Sequence, residues 1–202
     1  MVVQGNKQQN SYFNKYSGRR DDNADGSKIG PNGVQAMLED LKLDVTDRRV
    51  LILCALTNAE TQCEFTYDEL VGMMQENKLN TMTDLKKFLD SYNSEMDRDT
   101  DAFNKVYKFT FGYSRMLNSR NLTIEHAVQC WQALITKNYS LYPRWIDFVQ
   151  NAKTRPRGIT RDVWNMLPDL LSTTKTLADY DELGSWPSTF DDFIEYAREQ
   201  AQ

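Results

Sequence analysis

The sequence predicts an all-α protein, and three observations lead to this prediction. Apolar residues recur at helical spacing, and the clearest stripe, after Pro31, consists of Val34, Met37, Leu38 and Leu41. Residue pairs with the spacing of helix N-terminal caps stand before several such stripes. Strand signals are few. Because 202 residues can bury one substantial core, we expect several helices in two packed lobes.

Composition restricts the function classes. The formal net charge is −5, whereas a general nucleic-acid binder needs a surplus of Lys and Arg; a basic protein partner fits better. No apolar run approaches the roughly 18 residues of a membrane span. Cys54, Cys63 and Cys130 form no CxxC pair, which disfavours a disulfide framework or a zinc site and indicates a reducing, intracellular compartment.

The front of the chain is polar. Residues 1–27 are rich in Gln, Asn, Asp, Arg and Gly, and we predict a flexible segment in which the patch 11–16 can dock. The run 21–27, DDNADGS, has the oxygen donors and the glycine of the first half of a calcium-binding EF-hand loop. The second half departs from that pattern at Lys28 and Asn32, and no amphipathic helix is expected before the loop. A solvated acidic turn is favoured, and a calcium-responsive EF-hand-like adaptor is the alternative function.

Cap signals divide the middle of the chain into helices. The run 47–56 is apolar enough for a strand or a buried helix, and its Thr-Asp start favours the helix. Thr66 with Glu69, and Thr81 with Asp84, have the spacing of capping boxes. We therefore predict helices that begin directly after the two threonines.

Further helices follow toward the end of the chain. The aromatic-rich run 101–117 predicts a central helix that is buried on more than one side. Others are predicted after Thr123, around Pro143 and after Thr160. Pro168 should kink or end the helix that starts at Thr160, because its ring clashes with the carbonyl four residues earlier.

The stretch 158–196 combines carboxylates with large aromatic side chains. Trp164 and Trp186 each stand near acidic residues, and the last helix is predicted to begin around Trp186. The carboxylates that are predicted to face outward are Asp162, Asp191, Asp192 and Glu195. An acidic face on an aromatic base suits a basic partner, and a merely solvated surface is the alternative.

The residues indicate no catalytic site, metal site or cofactor. His126 and Cys130 are one helical turn apart, so a thiol–imidazole pair is geometrically possible. A helix-surface histidine beside a packed cysteine is the favoured interpretation. The sequence has no glycine-rich phosphate loop, nucleophile elbow or metal-ligand cluster.

Five dispersed motifs stand in order over residues 28–196. They are KIG with GV at 28–34, TQCEF at 61–65, FTF at 109–111, RDVWN at 161–165, and WP followed by FDDF at 186–193. With this order and spacing the chain resembles the potentiating-neddylation (PONY) domain of the defective-in-cullin-neddylation family. The resemblance implies an all-α, multi-helix PONY domain over 28–198, with two packed lobes and EF-hand-like helix pairs that need no calcium. Many relatives carry an N-terminal ubiquitin-binding domain, for which the segment before Lys28 has too few apolar residues.

The resemblance also implies what the protein does. Members of the family are not enzymes; they are scaffold-type co-ligases that join a cullin to a conjugating enzyme and so promote neddylation of the cullin. The implied cullin-binding residues are Asp162, Ser185 and Asp191, with Ser185 where the family has an alanine. The implied partner is the C-terminal winged-helix domain of the cullin, through which the RING ligase subunit is reached. A monomer in nucleus and cytoplasm is expected, with no nucleic-acid or membrane partner.

A second implied site is an apolar pocket for the acetylated N-terminal methionine of the conjugating enzyme. Its positions are Val34, Leu38, Val50, Cys54, Ala59, Gln62, Cys63, Phe65, Tyr113 and Ala133. An acetylated terminus is uncharged, so an apolar pocket can bury it without desolvating an ammonium ion. Most of these residues, taken singly, are equally consistent with core packing.

Overall fold

The structure is a computed structural model that describes residues 3–19, 21–22 and 25–201. Within these ranges the chain forms ten α-helices, one 3₁₀ helix and one sheet of two short strands, which confirms the all-α prediction. The α-helices are α1 (Lys7–Tyr16), α2 (Pro31–Leu41), α3 (Arg48–Thr57), α4 (Tyr67–Glu76), α5 (Met82–Met96), α6 (Thr100–Tyr113), α7 (Ile124–Leu134), α8 (Tyr142–Asn151), α9 (Arg161–Thr173) and α10 (Ser188–Glu199). The strands are β1 (Lys28–Ile29) and β2 (Phe65–Thr66), and the 3₁₀ helix is Leu177–Asp179. Asn23, an oxygen donor of the EF-hand-like run, lies outside the described residues.

The chain divides into two compact units. The first ends at Tyr113 and contains α1 to α6 with the sheet, and the second begins at Ser114 and contains α7 to α10. Across the described ranges, no helix combines the length and the apolar character that crossing a membrane requires.

Local hydrogen bonds start the helices where the sequence predicted. The two capping boxes, at Thr66 and Thr81, are present at the beginnings of α4 and α5. The hydroxyls of Thr123 and Thr160 accept backbone hydrogen bonds at the beginnings of α7 and α9. These side chains satisfy N–H groups that the first helical turn leaves without a partner.

The helix α3 is central to the first unit, where it packs against α4, α5 and α6 and completely buries Ile52 and Leu53. The aromatic-rich α6 ends at Tyr113 rather than at the predicted Leu117. The side-chain amide of Gln62 donates to the carbonyl of Tyr113 at 2.6 Å. In a continuing helix that carbonyl would accept from Leu117, so the long-range hydrogen bond takes the place of the next helical one.

The helix α1 occupies part of the segment for which flexibility was predicted. A capping box opens the helix, and Tyr12, Phe13 and Tyr16 are buried where it packs against α2 and α4. The side-chain amide of Gln9 donates to the carbonyl of Leu79 at 2.8 Å. The expectation that no amphipathic helix precedes the EF-hand-like loop is therefore wrong, because three rings on one helical face bury enough surface in an otherwise polar segment.

A short sheet joins the two helix pairs of the first unit. Lys28 pairs with Thr66 and Ile29 with Phe65 in antiparallel register. The ammonium of Lys28 also lies 2.5 Å from the carboxylate of Glu64. The pairs α1–α2 and α3–α4, with their loops joined in this way, form the EF-hand-like arrangement that the resemblance implied.

The second unit contains a comparable connection. Leu122 and Ile159 exchange two backbone hydrogen bonds, of 2.9 and 2.8 Å. Leu122 comes just before α7 and Ile159 just before α9, and both side chains are buried. The bridge therefore holds the beginnings of these two helices together.

Asp22, in the EF-hand-like run, caps α2. One carboxylate oxygen accepts from the backbone and the side chain of Asn32, at 2.9 and 2.7 Å, and the other accepts from the backbone of Gly33 at 2.8 Å. A Cβ on Gly33 would lie 2.3 Å from the carbonyl oxygen of Tyr16, so only glycine fits this approach. No group of three side chains suited to a metal ion occurs among the residues that the structure describes. Asp22 therefore has a structural role at the beginning of α2, and it is not one of the oxygen donors of the calcium-loop pattern, which are residues 21, 23 and 25.

Replacing Asp22 by alanine is expected to lower the urea midpoint of unfolding at pH 7, because α2 loses the acceptor at its N-terminus. Desolvation raises the pKa of this carboxyl, but the hydrogen bonds from Asn32 and Gly33 outweigh it and hold the pKa below its usual range. A lowered folded pKa stabilises the protein above the unfolded pKa of about 3.9, and that stability is lost as the pH falls through the folded value. The gap between wild type and variant should therefore shrink in acid. Urea unfolding followed by circular dichroism at pH 7 and in acid measures this gap. Asp21→Ala, at the exposed neighbouring residue, is the control. An equal loss of stability in both variants would contradict the role of Asp22 as a cap.

The helix α9 continues through Pro168 to Thr173, so the proline does not end it. A proline inside a helix costs roughly 3 kcal/mol, because it removes a hydrogen bond and its ring crowds the preceding turn. Leu167 and Leu170, on either side of the proline, are completely buried. Burial of such side chains contributes about 1.5–3 kcal/mol each, which offsets the cost.

Candidate protein-binding site

Three tryptophans form the core beneath the acidic stretch in the second unit. Trp131, Trp145 and Trp164 are completely buried. The rings of Trp131 and Trp164 are stacked with centroids 5.4 Å apart, and the ring of Trp145 meets that of Trp131 edge-on at 5.6 Å. Trp145 also contacts Phe190 and Phe193 of α10, at 5.5 and 5.3 Å. This aromatic cluster therefore connects α7, α8, α9 and α10.

Trp186 extends the cluster toward the loop before α10. Its half-buried ring lies 5.9 Å from Phe190 and is stacked on Tyr180 at 6.3 Å. A Cβ on Gly184 would lie 2.6 Å from the indole nitrogen of Trp186. The loop can fold this closely over the tryptophan only because residue 184 has no side chain.

Asp162 lies exposed in the first turn of α9. The hydroxyl of Thr160 accepts from the backbone N–H of Val163 at 3.3 Å and so determines where the helix begins. A carboxylate in this turn is favoured by the positive end of the helix dipole. Trp164, two residues further on, anchors the same turn in the aromatic cluster.

Asp191 lies exposed in the first turn of α10 and accepts a hydrogen bond from the hydroxyl of Tyr180 at 2.7 Å. Burial raises the pKa of Tyr180, and its hydrogen bond to the carboxylate raises it further. The phenol therefore stays protonated and continues to donate at neutral pH. Sequence reasoning missed Tyr180, although an aromatic residue inside the polar connection between two helices was a signal for it.

Ser185 is exposed and stands next to Trp186. Each of the three predicted cullin-binding residues thus lies within two positions of a ring of the aromatic cluster: Asp162 near Trp164, Ser185 beside Trp186, and Asp191 beside Phe190. One continuous set of packed rings supports them, while their own side chains face solvent. Exposed carboxylates on a rigid base are suited to binding a basic surface.

The predicted pocket residues differ in how far they are buried. In the first unit, the buried members are Val34, Leu38, Cys54, Ala59 and Phe65; Val50 and Tyr113 are half-buried, and Gln62 and Cys63 are exposed. Ala133 is a half-buried residue of α7 in the second unit. The buried members also contribute to the core of the first unit, so the half-buried and exposed members are the ones that a ligand can reach.

Tyr113 brings several of these residues together. Its hydroxyl lies 3.4 Å from the sulfur of Cys54 and accepts from the backbone N–H of Cys63 at 3.3 Å. Its backbone carbonyl accepts the hydrogen bond from the side-chain amide of Gln62. Its ring is stacked on Phe109 at 5.2 Å. Burial raises the pKa of the Cys54 thiol to about 11 and also raises the pKa of Tyr113. Both groups are therefore neutral at physiological pH, which keeps this region apolar.

The cysteine of the predicted thiol–imidazole alternative has another partner. The sulfur of Cys130 lies 3.4 Å from the hydroxyl of Ser114. Burial raises the pKa of its thiol, whereas a nucleophilic cysteine needs a lowered pKa. The geometry favours the packed cysteine over a nucleophile paired with His126.

Comparison with known proteins shows which family the chain resembles. Residues 84–196 match the family model described as "Cullin binding". The "Defective in cullin neddylation protein 1" of Caenorhabditis elegans is 35% identical, over 93% of this chain and 70% of the relative. The protein of the same name from Yarrowia lipolytica is 30% identical, over 93% of this chain and 76% of the relative. "DCN1-like protein 3" of Xenopus laevis is 31% identical, over 93% of this chain and 61% of the relative.

The fold and the site define an all-α module of EF-hand-like helix pairs that carries an acidic surface on an aromatic base. With the family model covering more than half of the chain, and with these relatives, the chain belongs to the defective in cullin neddylation family.

Proposed function

We propose that this chain is a non-catalytic co-ligase that holds a cullin and a conjugating enzyme together and so promotes neddylation of the cullin. The observation that carries the proposal is the support of Asp162, Ser185 and Asp191 by one aromatic cluster, inside the region that matches the cullin-binding family. The basic partner is the C-terminal winged-helix domain of the cullin. We further propose that the chain acts as a monomer in nucleus and cytoplasm.

A scaffold of this kind accelerates transfer without a catalytic side chain. Binding both partners to one molecule raises their effective concentration, and a defined docking geometry restricts their relative orientation. The raised pKa values of the Cys54 and Cys130 thiols support a role that requires no nucleophile from this chain. The RING ligase subunit is brought in through the cullin.

The second half of the proposal concerns the conjugating enzyme. The neutral Tyr113 and Cys54, with half-buried Val50 and exposed Cys63, form an environment suited to an uncharged N-terminus. An acetylated methionine carries no ammonium group that would have to be desolvated. Acetylation should therefore increase affinity.

An acetylated peptide with the N-terminal sequence of the conjugating enzyme is expected to bind at least about tenfold more tightly than its unacetylated twin, because burying a charge in an apolar site costs well over the 1.4 kcal/mol of a tenfold change. Fluorescence anisotropy with both labelled peptides measures the ratio. Val50→Lys should abolish this preference, whereas Val45→Lys, at an exposed valine 68% accessible to solvent, should retain it. Equal affinity of the two peptides for wild type would contradict the pocket.

A further inference from the structure

Leu183 is an apolar side chain that the second unit leaves 96% exposed. Single exposed leucines are common and carry no meaning by themselves. This one stands two residues before Ser185, so the two Cα atoms are at most about 7 Å apart. Its surroundings in the chain are acidic, since residues 179–192 contain five carboxylates and no Lys or Arg, and one of the five, that of Glu182, is paired with Arg198.

The turn that carries Leu183 is held in place on both sides. The backbone N–H of Leu183 donates to the carboxylate of Asp181 at 3.0 Å, and that of Gly184 donates to the carbonyl of Asp181 at 3.1 Å. The carboxylate of Glu182 lies 2.8 Å from the guanidinium of Arg198 in α10. The leucine is thus presented by an ordered turn that is attached to α10.

The hydrogen bond from Tyr180 to Asp191 attaches the same turn to the predicted cullin-binding residues. Because the backbone of the turn is already held by hydrogen bonds, covering Leu183 costs the freedom of its side chain but no further ordering of the turn. Protein interfaces commonly combine an apolar centre with a polar or charged rim. Leu183 with the carboxylates around it has this composition.

We propose that Leu183 is an apolar anchor of the cullin interface, which inserts into an apolar depression bordered by Lys and Arg on the cullin. This inference rests on the proposed function and deepens it, since it adds an uncharged contact to an interface otherwise described by its charges. The cullin is the occupant because the turn is continuous with Ser185 and Asp191 and lies inside the region of the family match.

Leu183→Ala is expected to weaken binding of the cullin C-terminal domain by about tenfold, because the loss of most of a buried leucine side chain has an effect of this size. The melting temperature should stay unchanged, since the side chain is exposed in the free protein. Leu117→Ala is the matched control: Leu117 is 95% exposed in the same unit but stands between Arg115 and Arg120. This control should bind like wild type.

Titration calorimetry at low and at high salt separates the apolar contact from the charges. The fold loss caused by Leu183→Ala should be equal at both salt concentrations, whereas that of a variant lacking the charges of Asp162 and Asp191 should shrink at high salt. Binding of Leu183→Ala within twofold of wild type, while the charge variant is weakened, would overturn the anchor and leave the proposed function intact. Failure of the wild-type protein to bind the cullin domain would overturn both.

Discussion

Removal of the charges of Asp162 and Asp191 together is expected to weaken cullin binding by about 100-fold, or ~2.7 kcal/mol. Both carboxylates are exposed in the free protein, so they are desolvated only when a basic partner covers them. Truncating one partner of a charge pair that becomes buried in an interface typically costs about 2–5 kcal/mol. Neddylation of the cullin in a reconstituted reaction should fall in parallel at limiting cullin concentration.

The substitutions for this test are Asp162→Asn and Asp191→Asn. An asparagine at 191 keeps an oxygen that can accept from Tyr180, so the hydrogen bond of 2.7 Å is preserved while the charge is lost. The control combines Glu125→Gln with Glu199→Gln, which removes two exposed charges from the same unit outside the stretch 158–196. Calorimetry should give wild-type affinity for this control. Equal weakening of both double variants would show that net charge, and not the patch, determines binding.

Trp145→Ala is expected to have the largest effect on stability, a loss of about 3–5 kcal/mol in the free energy of unfolding, as is typical for truncating a buried aromatic residue. The ring is completely buried and contacts Trp131, Phe190 and Phe193. Without it, α10 loses much of its attachment to α7 and α8. The orientation of Asp191 depends on that attachment, so cullin binding should weaken as well.

Trp145→Phe separates packing from hydrogen bonding. The indole nitrogen of Trp145 is buried without a hydrogen-bond partner, so the smaller aromatic ring removes no hydrogen bond and costs only the lost volume. We expect this variant to lose less than half as much stability as Trp145→Ala. Urea unfolding followed by far-UV circular dichroism provides the comparison. A loss below about 1 kcal/mol for Trp145→Ala, at the low end of effects seen for core residues, would contradict the central role of this ring.

The helix starts were predictable because their determinants are local. The threonines 66, 81, 123 and 160 accept hydrogen bonds from residues three positions further on, so the pattern is visible in any short window of sequence. The apolar stripe of α2 was equally visible. The family motifs indicated Asp162, Ser185 and Asp191 as cullin-binding residues, and their contact with the cullin stays a prediction.

The errors concern contacts between distant parts of the chain. The helix α1 depends on three rings and on a hydrogen bond from Gln9 to Leu79, which is 70 residues away. The early end of α6 depends on Gln62, which stands 51 residues before Tyr113. Neither partner can be identified from a local window, so the local sequence showed no sign of the helix in one case and predicted a longer helix in the other.

The stretch 158–196 depends both on local sequence signals and on contacts between distant residues. Its sequence alone determined that it would form two helices with carboxylates in their first turns, because helical periodicity, and for α9 the Thr160 cap, depend on residues a few positions apart. Only the tertiary structure decided that Tyr180 holds Asp191, that α9 continues through Pro168, and that the turn before α10 exposes Leu183. These outcomes depend on which surfaces are buried against one another, and burial is a property of the folded chain as a whole.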